Sequence, residues 1–292
     1  GSHMASMTGG QQMGRGSMAA LNKEMVNTLL GPIYTCHREG NPCFVFLSGA
    51  GFFSTADNFA NIIDKLPDSI GILTIDAPNS GYSPVSNQAN VGLRDWVNAI
   101  LMIFEHFKFQ SYLLCVHSIG GFAALQIMNQ SSKACLGFIG LEPTTVMIYR
   151  AGFSSDLYPQ LALRRQKLKT AADRLNYLKD LSRSHFSSQQ FKQLWRGYDY
   201  CQRQLNDVQS LPDFKIRLAL GEEDFKTGIS EKIPSIVFSE SFREKEYLES
   251  EYLNKHTQTK LILCGQHHYL HWSETNSILE KVEQLLSNHE KL

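Results

Sequence analysis

The sequence carries no surplus charge of either sign: 28 lysines and arginines stand against 28 aspartates and glutamates. Chains that bind nucleic acid usually gather a clustered positive excess, so no nucleic-acid partner is expected. No apolar run is long enough to cross a bilayer, and no secretory leader follows Met18. A soluble cytoplasmic protein without a membrane partner is therefore expected. The six cysteines (Cys36, Cys43, Cys115, Cys135, Cys201 and Cys264) occur singly, with no CxxC spacing, and four lie in or beside apolar runs. That argues against disulfides and zinc and for buried free thiols. Internal repeats and low-complexity tracts are also absent.

What is present begins with a tag. Residues 1–17 read as a protease-cut affinity scar, the epitope tag MASMTGGQQMGR and a Gly-Ser remnant, so the native chain is expected to start at Met18. The remaining 275 residues suffice for one large α/β domain, with room for an insertion. Short apolar runs recur at Cys43–Leu47, Ile70–Ile75, Tyr112–Val116, Leu136–Leu141, Ser235–Phe238 and Lys260–Cys264. Runs apolar on both faces suit parallel strands buried between helices. Between them lie helical patterns. Leu93, Trp96, Val97, Ile100, Leu101, Phe104 and Phe107 form one apolar face; Ile278, Leu279, Val282, Leu285 and Leu286 form another.

Residues 146–215 interrupt the alternation with two helical stretches, Leu161–Leu181 and Ser188–Leu205, and no strand signal. A helical insertion between sheet strands is expected to cap a site at the strands' C-terminal edge. The expected organisation is thus a core of 18–145 and 216–292 and a cap of 146–215. Basic residues of the cap (Arg164, Arg165, Lys167, Lys169, Arg174) could attract an acidic substrate, although solvated helix faces look the same.

The sharpest chemical signal is Leu114-Cys115-Val116-His117-Ser118-Ile119-Gly120-Gly121-Phe122. An apolar strand runs into a small-residue turn and then a helix. A serine hydroxyl is a poor nucleophile and must be lifted clear of the backbone to meet a base and a carbonyl. A sharp strand-to-helix turn does this, and it places Ser118 at a helix N-terminus, where developing negative charge is favoured. The segment resembles the nucleophile elbow G-x-S-x-G of the α/β-hydrolase superfamily, with Val116 at the first small position.

The resemblance implies more along the chain. Phe46-Leu47-Ser48-Gly49-Ala50-Gly51 stands where relatives carry a His-Gly turn, which implies an oxyanion hole from the backbone N–H groups of Ala50 and Ile119. Ser48 replaces the usual His and is given no catalytic duty. Asp76-Ala77-Pro78-Asn79-Ser80-Gly81-Tyr82-Ser83 looks like a turn that is structural in relatives. After the last apolar run, Gly265-Gln266-His267-His268-Tyr269-Leu270-His271 is similar to G-H-x-x-H and implies His268 as the base, or His267 if the register slips by one. Three close histidines could also suggest a metal, but only Cys264 and Glu274 lie near as further ligands, so neither metal nor cofactor is expected.

The base needs a carboxylate to fix its tautomer, and three compete. Glu142 ends the apolar run after the nucleophile helix, at the same sheet edge, and a lone acid there calls for a partner. Glu240 lies just past Ser235–Phe238, several residues short of the family's acid position, which is occupied by Arg243. Asp224, in Gly221-Glu222-Glu223-Asp224, precedes that run. A crossover helix from Arg243 to His256 is expected to join the last two strands. Glu142 is preferred, then Glu240, then Asp224.

The resemblance implies hydrolysis of a small carboxylic ester through an acyl-enzyme, with no cofactor. Two other readings stay open. One is a non-catalytic member that binds a ligand and signals through the cap. The other is an amide or peptide hydrolase of the proline-iminopeptidase kind, which needs an acidic pocket that Asp156, Asp173 and Asp180 supply only sparsely. Oligomeric state is not legible.

Overall fold

A computed structural model describes residues 21–85, 90–152, 157–207, 217–253 and 258–290. The strands are β1 (Asn22–Thr28), β2 (Gly31–Arg38), β3 (Cys43–Leu47), β4 (Gly71–Ile75), β5 (Asn90–Gly92), β6 (Ser111–His117), β7 (Ala134–Leu141), β8 (Arg217–Ala219), β9 (Ser235–Ser239) and β10 (Thr259–Leu263). The helices are α1 (Thr55–Asn58), α2 (Ala60–Ile63), α3 (Leu93–Phe107), α4 (Gly120–Gln130), α5 (Val146–Ala151), α6 (Pro159–Lys167), α7 (Ala171–His185), α8 (Ser188–Asn206), α9 (Glu244–Leu248), α10 (Leu270–Ser273) and α11 (Thr275–Glu290).

Eight strands form one sheet in the order β1-β2-β4-β3-β6-β7-β9-β10. The β1–β2 and β2–β4 pairs are antiparallel and the rest parallel. Strand periodicity builds a core on each face. Cys43, Val45 and Leu47 point into a cluster with Val97, Ile100, Ile103 and Phe104 of α3. Their alternates Phe44 and Phe46 point the other way, to Phe59 and Ile62 and to Ile278, Val282 and Leu285 of α11. β3, β4 and β9 are buried along their whole length, which is why they read as continuous apolar runs.

One hairpin lies outside the expected elements, and two expectations need correction. The β1–β2 hairpin has no apolar run because β1 is an edge strand with only Val26 buried. The single helix expected over Leu161–Leu181 is two, α6 and α7, since Thr170 caps α7 in a reciprocal box with Asp173. The long crossover expected from Arg243 to His256 is only a 3-10 turn (Ser241–Arg243) and α9, followed by non-helical chain to Leu253; His256 lies outside the described residues. A small pair, β5 with β8, adds a second parallel ladder.

Between β7 and β9 the insertion supplies α5 to α8, and its expected boundary at 215 falls outside the described residues. It seats on the core through Phe186, Leu194 and Trp195, packed against Phe53 and Trp272. Among the described residues no helix is long and apolar enough to cross a membrane, and all six cysteines are free thiols.

Candidate active site

β6 ends at His117, and Ser118 follows in the left-handed region, at φ 54°. That conformation costs a non-glycine residue on the order of 1 kcal/mol and survives only where its surroundings impose it. Here they do. The Ser118 N–H donates to Leu141 O at 3.2 Å, and its carbonyl accepts from Gly121 N at 3.0 Å and Thr144 N at 2.9 Å. Close packing then demands glycine around the turn. A Cβ on Gly121 would fall 2.1 Å from the Tyr252 hydroxyl, and one on Gly49 would fall 2.8 Å from Ser118 Cβ. Val116 fits at the first small position without a clash: even a Cβ on Gly120 would stand 3.5 Å from the Val116 Cβ, an ordinary van der Waals contact.

Glu142 follows the end of β7 as Ser118 follows the end of β6. Their predecessors Leu141 and His117 are register partners, and Glu142 is also left-handed, at φ 41°. Its side chain is buried, 1 % exposed. Oε1 accepts from His268 Nδ1 at 2.7 Å, while Oε2 accepts from Ser239 Oγ and from Glu240 N, each at 3.0 Å. Arg243 Nη1 lies 3.5 Å from Oε1. Burial works to raise the Glu142 pKa, but the His268 bond, the Arg243 charge and the Glu240 N–H outweigh it and bring it down to about 2.

His268 sits on the loop after β10 with its side chain 35 % exposed. Beneath it His117 donates from Nε2 to the His268 carbonyl at 2.9 Å, and the two rings pack at 4.5 Å between centroids. Burial holds the His117 pKa well below the usual imidazole range, so this ring is a neutral Nε2–H donor that fixes the backbone of residue 268. Ser118 thus stands beside a histidine packed on His268. Its own hydroxyl makes no hydrogen bond to His268 in this structure, which leaves room for the tightening that substrate binding brings to such sites.

The other candidates are placed elsewhere. Glu240, 3 % exposed, pairs with Arg164 rather than with His268. Asp224 is half-buried and caps the N–H of Gly221 in its own turn at 2.8 Å. His267 is buried; its Nδ1 accepts from Tyr269 N at 3.0 Å, and burial with neighbouring His185 lowers its pKa to about 4. His271 is fully buried and donates from Nε2 to Asn58 Oδ1 at 3.0 Å. Among the described residues no group of three metal-type ligands converges.

Ala50 and Ile119 face a cavity of about 430 Å³, whose other walls include Phe52, Ala77, Val91 and Trp96. The loop bearing Ala50 is fixed from both sides. Asn58 Nδ2 donates to Ser48 Oγ at 3.1 Å, and Asn58 Oδ1 accepts from Trp272 Nε1 at 2.8 Å. Asp76 accepts from Ser54 Oγ at 2.8 Å, Thr55 N at 2.7 Å and Tyr82 N at 3.0 Å. Nothing in the sequence points to Asn58, to His117 as a support, or to the pairing of Arg164, read there only as a basic cap residue, with Glu240. Their roles depend on partners up to 214 positions away, which no local motif encodes. Of the basic residues in the insertion, Arg174 caps Leu168 O and Lys169 O, and Arg164 is held by Glu240. Asp173 is bound in the α7 cap and Asp180 pairs with Arg183, while Asp156 lies outside the described residues.

A family model described as alpha/beta hydrolase fold matches residues 44–268. The crystal structure of Smu.1393c from the cariogenic pathogen Streptococcus mutans is 97% identical, with a TM-score of 0.86, over 92% of this chain and 100% of that one. Naproxen esterase (carboxylesterase NP) from Bacillus subtilis superposes with a TM-score of 0.61 at 14% identity, over 94% of this chain and 96% of that one. A putative epoxide hydrolase from Pseudomonas aeruginosa does so at 0.63 and 13%, over 93% and 97%. No curated protein matches the chain.

Proposed function

Because the chain belongs to the alpha/beta hydrolase fold family, and is on that footing a hydrolase, we propose that it is a serine hydrolase cleaving small carboxylic esters. The observation that carries this reading is the 2.7 Å bond from His268 Nδ1 to a buried Glu142, at the sheet edge where Ser118 occupies its forced left-handed turn. With Nδ1 committed to Glu142, Nε2 of His268 is the nitrogen left to take the Ser118 proton. Serine Oγ then adds to the ester carbonyl, and the resulting oxyanion is held by the N–H groups of Ala50 and Ile119. As the tetrahedral intermediate collapses, the carbon–oxygen bond to the alcohol breaks and His268 gives its proton to that departing oxygen, leaving the acyl group on Ser118. A water, deprotonated by the same nitrogen, releases the acid and restores the hydroxyl.

A serine at this turn favours acyl transfer, since its ester intermediate is open to water. The apolar walls beside Ala50 and Ile119 suit an uncharged acyl group. Helices α5 to α8 are read as a cap over this edge. The test is labelling by a fluorophosphonate probe followed by intact-mass analysis. One adduct is expected on the wild-type chain and none on Ser118→Ala; a wild-type protein that never labels would turn the reading toward a non-catalytic binding member.

A further inference from the structure

We propose that Arg164 is a positioning residue, through which the insertion holds the His268–Glu142 pair in place. It lies on α6, a helix that buries none of its residues completely. Little apolar area fastens such a helix, so its polar attachments decide where it sits. Tyr158, just before it, donates to Glu246 Oε1 at 2.9 Å and packs its ring edge-on against Phe242. Arg164 makes a further attachment. Its Nη1 donates to Glu240 Oε2 at 2.8 Å, its Nη2 donates to Glu240 Oε1, and Nη2 also donates to Gln266 O at 3.1 Å.

Those acceptors belong to the two segments that present the charge pair. Glu240 opens the turn after β9, and its N–H donates to Glu142 Oε2 at 3.0 Å. Gln266 lies two residues before His268 on the loop after β10. One guanidinium therefore ties the acid's backbone donor to the base's loop. Its planar fork suits three acceptors at once, which a single ammonium does not reproduce. Glu240 is 3 % exposed against 31 % for Arg164; removing the cation would leave an unpaired buried carboxylate on the very residue whose N–H donates to Glu142. A displacement of α6 is then felt at His268.

The role rests on His268 and Glu142 serving as base and acid, but the pair's order can be read without catalysis. In the full-length protein, an imidazole proton held against a carboxylate gives a low-field NMR resonance, assigned by its loss in Glu142→Gln. Arg164→Gln should broaden or abolish that resonance through exchange with water. It should also lower kcat by roughly 10- to 100-fold, with KM changed far less. Arg164→Lys, which keeps the charge and most of the stem, should retain a weakened resonance and intermediate kcat, and it serves if the glutamine variant does not fold. A resonance and kcat unchanged in the variants, whatever their Tm, would overturn the proposal. So would a wild-type spectrum without the resonance, since no ordered proton would exist for Arg164 to hold. A wild-type protein that shows the resonance but takes no label at Ser118 would defeat the hydrolase reading and leave the positioning role standing.

Discussion

Glu142 is a carboxylate that burial alone would neutralise and that His268 and Arg243 keep ionised. Its folded pKa of about 2 lies below the ordinary 4.5, so its contribution to stability is present above the ordinary value and is lost as pH falls toward 2. Glu142→Gln should therefore remove part of the acid destabilisation between about pH 4.5 and 2, measured by urea unfolding across that range. The same variant should cut kcat by about 10³- to 10⁴-fold, because the amide no longer holds the productive tautomer. If Glu240→Gln produced the larger loss in ester turnover, the acid would be Glu240 instead. At this scale Ser118 was legible because its constraint is local, a strand meeting a turn of small residues. Glu142 could only be ranked among rivals, since choosing it required the β6–β7 register and the fate of Arg243. That arginine stands where the family's acid is expected, and it is buried with its guanidinium forked onto Glu246 and one nitrogen toward Glu142.

Among the elements, α4 bears most directly on the elbow. Its first turn passes so close to Tyr252 that only glycine fits at 121, and the Tyr252 hydroxyl donates to Thr144 O at 2.6 Å. Gly121→Ala should destabilise the protein by about 1–3 kcal/mol, the usual cost of overpacking a full core, read as a lower urea midpoint with an unchanged slope. Buried strands and amphipathic helices were legible because burial on two faces, or on one stripe, writes its period into the sequence. β1 was not, because an edge strand with one buried residue has no period to show. The segment after Arg243 misled for a related reason: its apolar residues serve separate short turns and buried tyrosines, Tyr247 and Tyr252, rather than one helix face.

Across the whole molecule, the carboxyl groups pull stability in opposite directions with pH. Burial raises Asp57 to about 7, helped by nearby Asp76, and raises Asp76 to about 6. Both exceed the ordinary 3.8, so their contribution is fully present below that value and is lost as pH rises through 6 to 7, opposite in sign to that of Glu142. The buried histidines His117, His267 and His271 work the other way, since their lowered pKa values make stability fall as pH drops below 6.5. The aspartate effect is therefore isolated by difference, and Asp57→Asn should lose Tm relative to the wild type on acidification from pH 8 to 5. A Tm profile of the variant parallel to the wild type would refute the assignment. The sheet edge carries a further consequence. Adjacent strands finish in residues whose backbones would be more comfortable as glycine, Ser118 and Glu142. Any substitution that relieved that discomfort would take away a hydroxyl or a carboxylate, so a lineage bred only for heat resistance would be drawn toward sturdy, inert descendants.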